Sequence, residues 1–195
     1  LALDVQTGER RWHYQIHRSE QWNYDTPAAP ILMDLTVDGE EIPALIQNTK
    51  QGLIFAFNRE TGEPIWPIEE RPVRGSNVPG EQLSPTQPFP TWPEPFDLQG
   101  RTEDHLIDYT PEIFEAARQV AIDNNLLNPL FNPPTTVADP AGPAWNCPGG
   151  GGGTNITGPA VADPVSGVMF VTSGSGCFRL QLLPGNESPL DEREQ

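Results

Sequence analysis

A pattern that occurs twice constrains the fold of this chain more than any other feature. Ala2-Leu3-Asp4-Val5-Gln6-Thr7-Gly8-Glu9-Arg10-Arg11-Trp12 returns as Ala56-Phe57-Asn58-Arg59-Glu60-Thr61-Gly62-Glu63-Pro64-Ile65-Trp66. The shared form is Ala-x-Asp/Asn-x-x-Thr-Gly-x-x-x-Trp. Ala162-Asp163-Pro164-Val165-Ser166-Gly167-Val168-Met169-Phe170 reads as a degenerate third copy. In each copy a strand ends at the Asp or Asn, whose side chain bonds the turn backbone. The Thr-Gly pair reverses the chain, with glycine supplying φ > 0, and the next strand carries the Trp. Hairpin repeats at a spacing of about 40–50 residues are the mark of propeller blades, which bury their faces only by stacking on neighbours. Two unrelated hairpins would have to agree by chance at every defining position.

Other strand signals agree with this. Ala44-Leu45-Ile46-Gln47 and Leu53-Ile54-Phe55-Ala56-Phe57 flank a glycine-containing turn at residues 48–52, and Val168-Met169-Phe170-Val171-Thr172 is a further β run. We therefore expect an all-β chain: a partial β-propeller with blade repeats over 1–66, an irregular insertion over 67–158 and further blade strands over 159–183. Pro72, Pro79, Pro85, Pro88, Pro90, Pro93 and Pro95 make the insertion extended. One short helix is expected within it, near 111–123. Thr110 is its N-cap and Pro111 its first residue. Ile113, Phe114, Ala117, Val120 and Ala121 form its apolar face, and Glu112, Glu115 and Arg118 its solvated side.

Composition excludes several functions. With 27 acidic against 11 basic side chains the formal charge is −16, which would repel a nucleic-acid backbone. The 23 prolines and 18 glycines exclude a bundle of long helices. No apolar run reaches the roughly 18–20 residues of a membrane span; membrane association by other means stays open. The chain begins at Leu1 inside a patterned segment and ends in the polar run 184–195, so we expect a fragment of a longer protein. Cys147 and Cys177 lack metal-ligand spacing, and their pairing is not decided by sequence.

Residues 15–25 concentrate unusual side chains, among them His17, Glu20, Trp22, Asn23, Tyr24 and Asp25, and Lys50 follows in a turn between strands. In a propeller such loops converge at one end of the axis, where they could bind a polyanionic cofactor and a metal ion. On spacing alone the plainer reading prevails: Trp22 and Tyr24 as packing aromatics, Lys50 as an exposed turn lysine. The run Gly149–Gly153 lacks the Lys-Ser/Thr of a phosphate loop and reads as a flexible or tightly packed loop. Asn155-Ile156-Thr157 is a formal glycosylation sequon, and His105 with Asp104 and Glu103 reads as a solvated charge cluster.

Taken together these residues resemble the pyrroloquinoline quinone (PQQ)-dependent dehydrogenases, eight-bladed quinoprotein propellers, and within them the glucose dehydrogenase-like branch. The repeats look like that family's tryptophan-docking motifs. Three further stretches support the resemblance: Trp22-Asn23-Tyr24-Asp25-Thr26-Pro27-Ala28, Thr49-Lys50-Gln51-Gly52-Leu53-Ile54-Phe55, and Leu83-Ser84-Pro85-Thr86-Gln87-Pro88-Phe89. Phe131-Asn132-Pro133-Pro134 resembles a Phe-Thr-Pro-Pro element of the branch.

The resemblance implies oxidation of a sugar or alcohol by hydride transfer to PQQ, with Ca²⁺ nearby, a respiratory electron acceptor and a periplasmic location. It places Lys50 beside the quinone carbonyls, as the cofactor-binding cation. It also places Asn23 on the position of the family's catalytic base, an Asp that lies near the metal. An amide cannot take the proton, although its carbonyl oxygen can ligate a hard cation, so Asn23 is a candidate metal ligand; Asp25 or Glu20 then substitutes as the base, or the substrate chemistry differs. The His-Asp that precedes this motif in the family reads Ser19-Glu20 here. The altered base position leaves a rival open: an inactive homologue, or a non-catalytic propeller used as a protein-binding scaffold.

Overall fold

The structure is a computed structural model that describes residues 1–154 and 158–185. The sequon at 155–157 and most of the polar run at 184–195 lie outside the described residues. Among the described residues strands dominate, with one α-helix, and their sheets do not close into a propeller.

The repeats form hairpins with one shared turn. In the first, β1 (Ala2–Leu3) pairs with β2 (Arg10–Trp12). Asp4 Oδ1 accepts from the backbone of Gln6 (2.9 Å) and Thr7 (3.0 Å), and Gly8 N–H closes on Asp4 O at 2.8 Å. The second copy repeats this: Asn58 Oδ1 accepts from Glu60 (2.9 Å) and Thr61 (3.3 Å), and Gly62 N–H reaches Asn58 O at 2.8 Å. The degenerate copy does so as well. Its strands β10 (Val161–Asp163) and β11 (Val168–Phe170) are antiparallel, Asp163 Oδ1 accepts from Val165 N at 3.0 Å, and Gly167 N–H bonds Asp163 O at 3.0 Å.

Between the first two turns lies the largest sheet, β3 (Ile31–Val37), β4 (Glu40–Asn48) and β5 (Ile54–Asn58), antiparallel throughout. A bridge from Phe57 to Pro64 adds the start of a fourth strand. Both faces of this sheet are covered, which is why β5 is buried from Ile54 to Phe57. On one face Met33, Ala44, Ile46 and Ile54 pack against Ala162, Met169 and Val171 of the third repeat. On the other, Leu53, Phe55 and Phe57 pack against Trp12, Tyr14, Ile16, Ile68 and Phe89. The sheet is thus sandwiched between neighbouring hairpins. The outermost hairpins lack a further layer and leave Leu3, Val5, Val165 and Phe170 exposed.

Residues 67–158 are more ordered than their proline content suggests. β6 (Ile68–Pro72) and β7 (Thr86–Pro90) pair antiparallel in register, with three of the prolines (Pro72, Pro88 and Pro90) inside the ladder. Two strands here do without a central-sheet environment, where proline would remove needed donors. β8 (Thr135–Thr136) and β9 (Ala144–Asn146) flank β12 (Phe178–Leu182), the first parallel to it and the second antiparallel. Helix α1 spans Pro111–Asp123, and Thr110 Oγ1 accepts from Ile113 N at 3.3 Å as its N-cap.

The inward face of α1 differs from the expected one. Phe114, Ala117, Arg118 and Ala121, spaced i, i+3, i+4, i+7, turn inward, while Ile113 and Val120 are exposed. Arg118, expected on the solvated side, is half-buried, and its Nε donates to Glu103 at 2.8 Å.

Candidate active site

The segment from Trp22 to Asp25 is not a strand, yet it alternates like one. Trp22 and Tyr24 are fully buried, and Asn23 and Asp25 face outward on the other side. The aromatic pair is held at both ends. Trp22 Nε1 donates to Asn132 O at 2.8 Å and the Tyr24 hydroxyl to Pro148 O at 2.6 Å. Phe131 packs edge-on to Trp22 (5.1 Å between centroids), Tyr24 (5.8 Å) and Phe89 (5.6 Å). Each such ring contributes about 1.5–3 kcal/mol by burial. Burial pushes the Tyr24 phenol far above its usual pKa, with the Glu20 and Asp97 charges adding to the effect, so it remains a neutral donor. Gln87 completes the frame: its amide exchanges two bonds with the Arg18 backbone, at 2.6 and 2.9 Å.

This frame brings the three sequence candidates together. Lys50 Nζ donates to Asn23 O at 3.0 Å, to Asn23 Oδ1 at 3.3 Å and to the Asp25 carboxylate. The expectation of an exposed turn lysine is overturned, because Lys50 is only 5% exposed. Its stem lies in the turn 49–52, and the glycine loop explains the burial. A Cβ on Gly153 would meet Lys50 O at 2.2 Å, and one on Gly150 would meet Asn23 Cβ at 2.8 Å, so only glycine lets this loop lie over both partners. The run Gly149–Gly153 is a packed lid over the lysine turn, and no phosphate site is formed. Cys147 and Cys177, at either side of it, are joined in a disulfide.

Asp25 has a side chain 60% exposed and presents a carboxylate to solvent at the rim. Asn23 sits at φ +60°, the left-handed region, which asparagine tolerates better than most residues. Glu20 Oε1 accepts from Trp22 N at 2.6 Å and Tyr24 N at 3.0 Å. His17 is buried, its Nε2 lies 2.7 Å from Gln51 Nε2, and burial holds its pKa below the usual imidazole value against the opposing pull of Gln51, Glu20 and Asp25. His105 takes no part in this group: it bonds Thr102 within its own short turn. Gln51, Gly150 and Gly153 were not singled out by sequence as site residues. Gln51 carried no signal beyond adjacency to Lys50, and the glycines were visible only as a run.

The residues suit the two implied groups, PQQ and calcium, unequally. An anionic, carbonyl-rich quinone fits a rim where the Lys50 ammonium, held by Asn23 and Asp25, supplies a fixed positive charge. Calcium needs about six to eight oxygen ligands. Asn23 Oδ1 and Asp25 supply two, and no cluster of three His, Cys, Asp or Glu that could hold a metal occurs among the described residues. The residues here do not by themselves fit calcium.

Comparison with known proteins gives a consistent picture. Residues 1–195 match the PQQ family model described as glucose/ethanol/alcohol dehydrogenase, beta-propeller domain. A probable quinate dehydrogenase (quinone) from Xanthomonas campestris pv. juglandis is 31% identical over 187 residues, 95% of this chain and 23% of that protein. The glycerol dehydrogenase large subunit of Gluconobacter thailandicus is 46% identical over 46% of this chain and 12% of its own length. Quinoprotein glucose dehydrogenase of Escherichia coli (strain K12) is 40% identical over 46% of this chain and 11% of its own length. The chain thus spans less than a quarter of the relatives it matches. No solved structure matches it.

Proposed function

This chain belongs to the PQQ-dependent glucose/ethanol/alcohol dehydrogenase β-propeller family, and from that premise we propose that it carries one wall of the active site of a quinoprotein that oxidises a sugar, alcohol or polyol. The observation that carries the reading is the buried Lys50 ammonium bonded to both Asn23 and Asp25. When bound, PQQ supplies an ortho-quinone that takes up a hydride. Lys50 would lie against its carbonyl edge, where a fixed positive charge stabilises the negative charge that develops on reduction. Asp25 accepts the proton of the substrate hydroxyl as the C–H bond yields its hydride, and its exposed carboxylate oxygen is free to do so. Asn23 orients the hydroxyl through its carbonyl oxygen, and the Gly149–Gly153 loop keeps water from the lysine turn. No step is assigned to calcium.

The substrate class follows the names of the relatives, which cover glucose, glycerol and quinate dehydrogenases. The "(quinone)" in the quinate enzymes' names supports a respiratory quinone as acceptor. The disulfide supports an oxidising, periplasmic location. Among the described residues no helix is long and apolar enough to cross a membrane. Asn23 favours a second reading, a propeller that binds PQQ without turnover.

Titration of the full-length protein with PQQ, followed by quenching of tryptophan fluorescence, tests this. Saturable quenching that weakens at least about tenfold in Lys50→Ala is expected for a charge-assisted contact. Absence of quenching with Ca²⁺ present rejects the enzyme reading in favour of a scaffold. Quenching without turnover selects the second reading.

A further inference from the structure

Glu20 has no part in the chemistry above, yet its carboxylate reaches both peptide groups that bracket Asn23. Oε1 accepts from Trp22 N and Tyr24 N, at 2.6 and 3.0 Å, across a residue held at φ +60°. Such hydrogen bonds to a charged acceptor are among the stronger ones in proteins. The other oxygen, Oε2, faces His17 Nδ1 at 3.6 Å. His17 Nε2 lies 2.7 Å from the Gln51 amide nitrogen, and Gln51 is fully buried and adjoins Lys50. With the Gln51 amide nitrogen assigned toward the ring, it donates to Nε2 and the ring proton sits on Nδ1, on the side of Glu20 but beyond hydrogen-bond distance of it. The reverse tautomer would set a lone pair against a carboxylate. A polar strut thus runs from the Asn23 loop to the Lys50 turn, behind the face where Asn23, Asp25 and Lys50 meet.

We propose that Glu20 is a positioning residue: it clamps the backbone on both sides of Asn23 and, through His17 and Gln51, ties that loop to the turn carrying Lys50. Without the clamp the peptide groups of Trp22 and Tyr24 lose their acceptor. Asn23 is then free to leave the left-handed region, and its two contacts with Lys50 go with it. The buried aromatics stay anchored through Asn132 and Pro148, so the loop loosens without the fold being lost. The catalytic consequence rests on the dehydrogenase reading; the clamp itself does not.

The test uses the full-length protein and the variants Glu20→Ala and Glu20→Gln. In Glu20→Ala, amide hydrogen exchange at Trp22 and Tyr24 should quicken by about tenfold or more while the β4 amides keep their rates, a local opening. Turnover with bound PQQ should fall about 10–100-fold with KM within about threefold, the signature of misplaced groups. Glu20→Gln keeps an acceptor oxygen and should restore both. If Glu20→Ala does not fold, Glu20→Leu, close in size but without an acceptor oxygen, is read the same way. Unchanged exchange at Trp22 and Tyr24, equal acceleration across β4, or unchanged turnover overturns the proposal. A wild-type protein that binds no PQQ would remove the dehydrogenase reading, and exchange alone would then decide the clamp.

Discussion

The indole of Trp12 donates from Nε1 to the carbonyl oxygen of Arg59, 47 residues away, at 2.9 Å. This is the long-range counterpart of the repeat. The Trp that closes one copy docks on the Asn58–Gly62 turn of the next, its ring lying where a Cβ of Gly62 would be, 2.6 Å from the nearest ring carbons.

The two repeat glycines give a controlled comparison. Gly8 and Gly62 have similar angles, φ +74° and +80°, but Gly8 has open space where Gly62 has Trp12. Alanine at Gly8 should cost about 1–2 kcal/mol, the left-handed strain alone. Alanine at Gly62 adds overpacking of about 1–3 kcal/mol. Urea unfolding of the two variants measures the difference, and equal losses would show that the docked Trp does not bear on stability.

Asn23→Asp should raise dye-linked dehydrogenase turnover by up to about 10²-fold, since a positioned base contributes about 10²–10⁴. Asp25→Asn should lower turnover of the wild type by a similar factor, and lower it far less once Asn23→Asp is present. If Asp25→Asn leaves the wild-type rate unchanged, Asp25 is not the base.

The Cys147–Cys177 bond closes a 30-residue separation. By loop entropy its reduction should cost about 3–4 kcal/mol. The same bond lies at the start of the glycine lid, where Gly149 N–H meets Gly176 O at 2.6 Å. Reductant should lower the urea midpoint of the wild type and leave that of the double variant Cys147→Ser, Cys177→Ser unmoved. A wild-type midpoint indifferent to reductant would contradict the expectation.

What the sequence reveals follows from how local each signal is. The Asp4, Asn58 and Asp163 turns are short-range chemistry, and all three copies fold alike, even the degenerate one. The cap of α1 was legible for the same reason, whereas its inward face is set by long-range packing and includes Arg118, which reaches Glu103. At the site, Asn23, Asp25 and Lys50 could be named from their motif. Their meeting could not be read, because it rests on the glycine lid and on Phe131 and Asn132, more than 100 residues away from Trp22. Proline count misled over 67–158: β6 and β7 form a two-stranded ladder that tolerates Pro72, Pro88 and Pro90.

Stability should depend on His17 through its depressed pKa. Burial is the chief cause, and it disfavours the charged ring in the folded protein. The unfolded chain takes up the proton near its ordinary value of about 6.5. Between that value and the lower folded one, the unfolded state binds more protons, so stability rises with pH across this window. His17 therefore contributes stability that is fully present above about pH 6.5 and is lost as pH falls through the folded pKa. The urea midpoint should drop between pH 7.5 and pH 5. His17→Gln, which cannot charge, should flatten that part of the profile, although it will be less stable at neutral pH through loss of the Gln51 contact. The carboxylate of Glu70, held below its usual pKa by Arg18 and then Thr86, gives a slope of the same sign at lower pH. That slope should persist in His17→Gln and become shallower in Glu70→Gln, the remainder coming from Asp4, Glu112, Asp139 and Asp163, which are also held below their usual pKa. A profile that His17→Gln leaves equally steep between pH 7.5 and pH 5 would show that this imidazole is not buried neutral.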